Sequence, residues 1–207
     1  MPKYPYFCDE LNFQYVEREI FRQRLRESIE LKEQLFDDPE FYAEFHKGLH
    51  TIVECFKRGG KLLLCGNGGS ASDAQHISAE LSGRFLKNRS PLSAEALHVN
   101  SSFVTAVAND FGYGEVFARG VEAFGRMGDV LILLSTSGNS DNILRAADKA
   151  RGLGITTLAL TGETGGALRE KVDMIWRIPS TNTARIQEIH IFLGHLMCEY
   201  VEKSLFP

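Results

Sequence analysis

His76 and Glu80 are four residues apart, so on a helix they share one face and an imidazole nitrogen can meet a carboxylate oxygen. Such a pair suits ligation of one metal ion, or a carboxylate base working beside an imidazole. On an ordinary helix a His–Glu pair at this spacing is more often a solvated surface pair. This one begins a turn after Gly66-Asn67-Gly68-Gly69-Ser70-Ala71-Ser72, and a related run, Ser135-Thr136-Ser137-Gly138-Asn139-Ser140, lies further on. Glycines let the backbone approach an anion, hydroxyls donate to its oxygens, and the amides opening the next helix add a positive end. Each loop alone reads equally well as a turn with a Ser or Asn helix cap. Two of them, each at the end of a predicted strand, favour a ligand. No Walker lysine follows the first loop and its glycines do not fit G-x-G-x-x-G, so a small phosphorylated metabolite is expected rather than a nucleotide.

A second set of polar residues, Gln187, His190 and His195, sits in an otherwise apolar C-terminal segment. Buried there, they need polar partners, and a shared site would supply them. Spacing alone pairs Gln187 with His190. His195 falls about 12 Å along a helix from Gln187 and about 80° around it. Periodicity therefore leaves His195 equally readable as a core histidine bonded to backbone.

The elements that must hold these residues follow from pattern. Residues 16–36 read as an amphipathic helix with Ile20, Phe21, Leu25 and Ile29 at helical intervals. Asp38-Pro39 opens a second helix, with Phe41, Phe45, Leu49, Ile52, Val53 and Phe56 in register, and Gly59-Gly60 stops it. Five short apolar runs then alternate with helix-length segments, at 61–65, 95–99, 130–134, 155–160 and 174–178. Runs apolar on both faces and spaced this way predict a three-layer α/β/α sandwich with a five-stranded, mostly parallel sheet, preceded by N-terminal helices. Ligands of such folds bind beyond the carboxyl ends of the strands. Residues 183–206 predict a long final helix whose wide apolar surface implies burial on more than one side, in the core or against another subunit.

With 23 Lys plus Arg against 27 Asp plus Glu, the 207-residue chain has a net charge of −4 and no basic cluster, which argues against nucleic acid as a partner. Neither a signal-type start nor a membrane-length apolar stretch is present, so a soluble, unexported protein is expected. Cys8, Cys55, Cys65 and Cys198 are scattered, as in a reducing cytosol, and Cys65 reads as a buried structural thiol.

In order along the chain, Cys65-Gly66-Asn67-Gly68-Gly69-Ser70 with Asp73, Ala74 and His76, Ala108-Asn109-Asp110-Phe111-Gly112, the 135–140 loop, Leu160-Thr161-Gly162 with Gly165-Gly166, and Arg185-Ile186-Gln187-Glu188-Ile189-His190 resemble the phosphoheptose isomerases of the sugar-isomerase (SIS) domain class. The resemblance runs over about 16–203, so 16–207 is expected to be one SIS-type domain and 1–15 an extension. It implies isomerisation of D-sedoheptulose 7-phosphate to D-glycero-D-manno-heptose 7-phosphate, the first step toward ADP- or GDP-heptose. It further implies substrate contacts from Asn67, Gly68, Gly69, Ser70, Asn109, Asp110, Ser135, Thr136, Ser137, Ser140 and Gln187. One zinc per subunit is implied on His76, Glu80, Gln187 and His195, with Glu80 as base and His195 as acid, in a cytoplasmic homotetramer. Two other readings are a non-catalytic SIS-domain regulator that binds the replication initiator protein, a group lacking the His–Glu pair, and a sensor or isomerase of another sugar phosphate.

Overall fold

A computed structural model describes the backbone of residues 10–207 and side chains from residue 15; Cys8 lies outside the described residues. Helix α1 (Glu10–Phe36) starts earlier than the sequence pattern suggests. Its expected apolar stripe of Ile20, Phe21, Leu25 and Ile29 is exposed, and the residues it buries are Ser28, Leu31 and Leu35. Only its C-terminal third reaches the core, through Leu31 and Leu35. Helix α2 (Pro39–Lys57) matches expectation: the Asp38 carboxylate accepts the N–H groups of Glu40 and Phe41 at 2.9 and 3.1 Å, and Gly59 takes a left-handed φ of 77° after the helix ends.

Strands β1 (Leu62–Gly66), β2 (Ala94–Ala96), β3 (Val130–Leu134), β4 (Thr156–Thr161) and β5 (Met174–Arg177) form one wholly parallel sheet in the order β2-β1-β3-β4-β5. Alternate residues serve opposite faces. Leu62, Leu64, Ile132, Leu134, Leu158 and Leu160 pack with α2, α3 (Gly69–Ser82) and α7 (Thr183–Leu205). Leu63, Cys65, Leu131, Leu133 and Ala159 pack with α5 (Val116–Phe124) and α6 (Asp141–Gly152), which makes the three layers. Helix α4 (Ser101–Phe111) adds Val107 to the second face. Cys65 is fully buried and burial pushes its thiol well above the ordinary range, as befits a structural residue.

From β1 the chain turns to one side to form β2 and later returns on the other side as β3. The loops after β1 and β3 therefore leave adjacent strands toward opposite layers. That divergence opens a crevice at the carboxyl edge of the sheet. Among the described residues no helix is long and apolar enough to cross a membrane.

Candidate active site

The two glycine- and hydroxyl-rich loops meet in this crevice because Gly66 at the end of β1 is in register with Leu134 at the end of β3. A reciprocal amide pair ties them: Asn67 Nδ2 donates to Asn142 Oδ1 at 2.9 Å and Asn142 Nδ2 donates to Asn67 Oδ1 at 2.8 Å. Tyr113 Oη donates to the same Asn67 oxygen at 3.1 Å. Gly68, at φ 56°, precedes α3 and Ser140 precedes α6, and neither helix start has a side-chain cap bond. By contrast, Asp38, Asn100 and Asn182 all cap their helices. The first-turn amides of α3 and α6 are thus left without a cap, as a site for an anion requires.

Ser135 is buried, with Oγ 3.5 Å from Ser140 Oγ and accepting the Gly138 N–H at 3.2 Å. Gly138, at φ 65°, packs so closely on the Gly165 carbonyl that a side chain there would collide with it. The loop after β4 is thereby pressed onto the hydroxyl loop. Between them lies a cavity of about 270 Å³ lined by Thr136, Ser137, Asn139, Gly162, Thr164 and Ser180, among others.

Behind the first loop, α3 presents His76 and Glu80, and α7 crosses it carrying Gln187 and His195. His76 Nε2 lies 3.2 Å from Glu80 Oε1 and 3.3 Å from His195 Nε2. These three donor atoms fall within 4.8 Å of one another. Two imidazole nitrogens and a carboxylate oxygen converging at this range are the donor set that zinc takes, and a cation there would use both histidine lone pairs at once. The Gln187 amide packs over the glycine loop so tightly that a Cβ on Gly69 would lie 2.7 Å from its Nε2. Burial lifts the nearby Asp73 carboxyl to about 6, with His76 drawing it back.

His190 is not in this cluster. It is fully buried, with Nε2 3.3 Å from the Thr161 carbonyl oxygen, so the core histidine with a backbone partner is His190 and the site histidine is His195. Burial pushes His190 from its ordinary 6.5 down to about 4. A histidine with a lowered folded value takes its proton first in the unfolded chain, so its contribution to stability is complete above pH 6.5 and drains away toward pH 4. Between pH 7 and 4.5 this amounts to about 2–3 kcal/mol. His190→Gln, which keeps a donor for Thr161, is expected to flatten that loss in denaturant titrations at the two pH values. An unchanged pH slope would mean that other groups carry it.

Asn109 and Asp110 lie exposed at the end of α4, where Asn109 Nδ2 donates to Asp110 Oδ1 at 2.8 Å. They contribute to neither the ligand cluster nor the 270 Å³ cavity. Two residues that pattern did not single out, Asn142 and Tyr113, are part of the loop junction. The only signal for Asn142 was its place in the first turn after Ser140.

A parallel α/β sandwich with anion-type loops at its switch point and a His–Glu–His cluster beside them places the chain in the class of sugar-isomerase domains, and the SIS domain family model matches residues 27–162. The phosphoheptose isomerase of Clostridium acetobutylicum is 44% identical over 189 residues, 91% of this chain and 96% of that protein. That of Mycobacterium tuberculosis is 48% identical over 180 residues, covering 87% of this chain and 92% of its own length. The phosphoheptose isomerase structure from Neisseria gonorrhoeae superposes with a TM-score of 0.84 at 38% identity, over 90% of this chain and 98% of that one. The chain belongs to the phosphoheptose isomerase family.

Proposed function

We propose that this enzyme acts as a phosphoheptose isomerase, interconverting D-sedoheptulose 7-phosphate and D-glycero-D-manno-heptose 7-phosphate. The observation that carries the reading is the convergence of His76, Glu80 and His195 beside two uncapped anion-type loops, in a member of this family.

The reaction moves a proton between C1 and C2 through an enediolate, so it needs a base at carbon, an acid at oxygen and positive charge beside the developing oxyanion. Glu80, with its side chain partly shielded on α3, takes the carbon-bound proton. His195, across from it on α7, returns a proton to oxygen. When bound by His76, Glu80, Gln187 and His195, one zinc per subunit would supply the positive charge that polarises the carbonyl. Ser70, Ser135, Thr136, Ser137 and Ser140 hold the phosphate, remote from the reacting carbons, and so supply binding energy that fixes the sugar's orientation. Asn67, Gly68 and Gly69 border the sugar chain, with Gln187 packed against them. Asn109 and Asp110 reach substrate in an assembled oligomer. A cytoplasmic homotetramer is the proposed form, supported by the exposed apolar side of α1, where Phe21 is 72% and Tyr15 70% exposed.

Incubating purified protein with sedoheptulose 7-phosphate and following the aldose proton by NMR tests the reading. Aldose formation, slower with fructose 6-phosphate, is expected. Equal rates on both sugars would refute the heptose assignment, and no turnover of either would refute the isomerase.

A further inference from the structure

We infer that Arg89 and Glu202 are a positioning pair that holds Glu80 and His195 in register across the two helices that carry them. The inference rests on the proposed role of those two residues. Glu202, on α7, is buried, and its carboxylate accepts four bonds: from the N–H groups of Phe85, Leu86 and Lys87 at 2.9, 2.9 and 3.0 Å, and from Arg89 Nε at 2.8 Å. The two side chains are 1% and 2% exposed. Burial alone would raise the Glu202 carboxyl, but its backbone donors and Arg89 hold it below the usual carboxylate range.

The rest of the Arg89 guanidinium faces α3. Nη2 donates to the Glu80 carbonyl at 2.9 Å, and Nη1 donates to the Leu81 carbonyl at 2.8 Å and to Ser90 at 3.0 Å. The last carbonyls of a helix have no partner within it and form its negative end, so a buried cation fixes them in place. Here the cation closes the turn that bears Glu80, and a carboxylate of the other ligand-bearing helix anchors it. The same carboxylate fixes Phe85, whose ring stacks on His195 with centroids 5.7 Å apart and planes 19° apart. One acidic side chain thus governs the backbone of Glu80 and the packing of His195, while standing outside the ligand cluster itself.

Stability alone is a weak reason for this arrangement. Buried ion pairs are replaceable by apolar residues at little or no cost in many folds, because desolvation offsets their attraction. A pair that bonds the backbone at one ligand and packs an aromatic ring on another has a geometric task. Partners beyond the ligands of a metal site are worth about 10- to 100-fold in affinity or activity.

The test compares wild type, Arg89→Lys, Glu202→Gln and His76→Ala by thermal unfolding, cobalt(II) titration and steady-state kinetics. Lysine keeps the charge but lacks the fork that reaches Glu202 and the Glu80, Leu81 and Ser90 carbonyls together, and glutamine keeps the size but turns a donor toward backbone N–H groups. Each is expected to stay folded, to bind cobalt about 10-fold more weakly and to lose about 10-fold in kcat, with KM within about twofold. A folded variant with wild-type cobalt affinity and kcat, whatever its melting temperature, would show the pair to be structural only and overturn the inference. Should both charge variants lose their thermal transition, Phe85→Leu, which leaves the ion pair intact, decides: unchanged kcat overturns it. Cobalt binding that survives in His76→Ala would instead remove the metal site, and the inference with it.

Discussion

Turnover of Glu80→Gln is expected to fall by at least ~100-fold while the protein remains folded and still binds the sugar phosphate. Glutamine keeps the length of the side chain and most of the helix propensity of α3, but its amide cannot accept the carbon-bound proton. Of the groups proposed to hold the phosphate, four lie in the loop after β3 and Ser70 lies ten residues before Glu80 on α3, so substrate affinity, read by calorimetry, should change far less than kcat. The amide is also a poorer metal ligand, so metal content must be measured on the same sample. Near-normal turnover in a metal-replete Glu80→Gln protein would sink the assignment of the base and turn attention to His195.

Removing metal with a chelator is expected to cost at least as much, with activity returning on addition of about one zinc per chain. His76, Glu80 and His195 come together only in the folded chain, so the stripped protein should also melt at a lower temperature, by an amount that grows with zinc concentration when the metal is restored. Elemental analysis of active protein supplies the count. Full turnover in protein proven free of metal would leave the isomerisation to acid–base chemistry alone.

Much of this was legible from residue order. The five strands follow from short apolar runs separated by helical stretches, because a parallel sheet buried on both faces admits little else. Asp38-Pro39 and Gly59 marked the bounds of α2 through local chemistry that needs no tertiary information. The histidines of α7 did not yield to the same approach. His190 and His195 differ by five positions, and which one meets α3 depends on the angle at which the helices cross, a tertiary quantity that spacing does not contain. Family resemblance pointed to His195 where periodicity did not. The stripe on α1 misled for a related reason: helical periodicity reports that a face is apolar, not what covers it, and Ile20, Phe21 and Leu25 face away from this chain's core. Arg89 and Glu202 carried no signal, since an arginine and a glutamate 113 residues apart look like surface charges until the fold joins them.

The separation of the ligands has a consequence for biosynthesis. His76 and His195 are 119 residues apart, and the second lies in α7, which leaves the ribosome after the whole sheet. At roughly 5–20 residues per second, the two metal-type residues of α3 wait about 6–24 s for their third partner. During that interval the other four strands of the sheet, β2 to β5, are synthesised, yet of the three clustered donors the nascent chain offers only His76 and Glu80. The donor cluster is complete only once α7 has emerged, so a product truncated before α7 would lack His195 and with it the full set of donors.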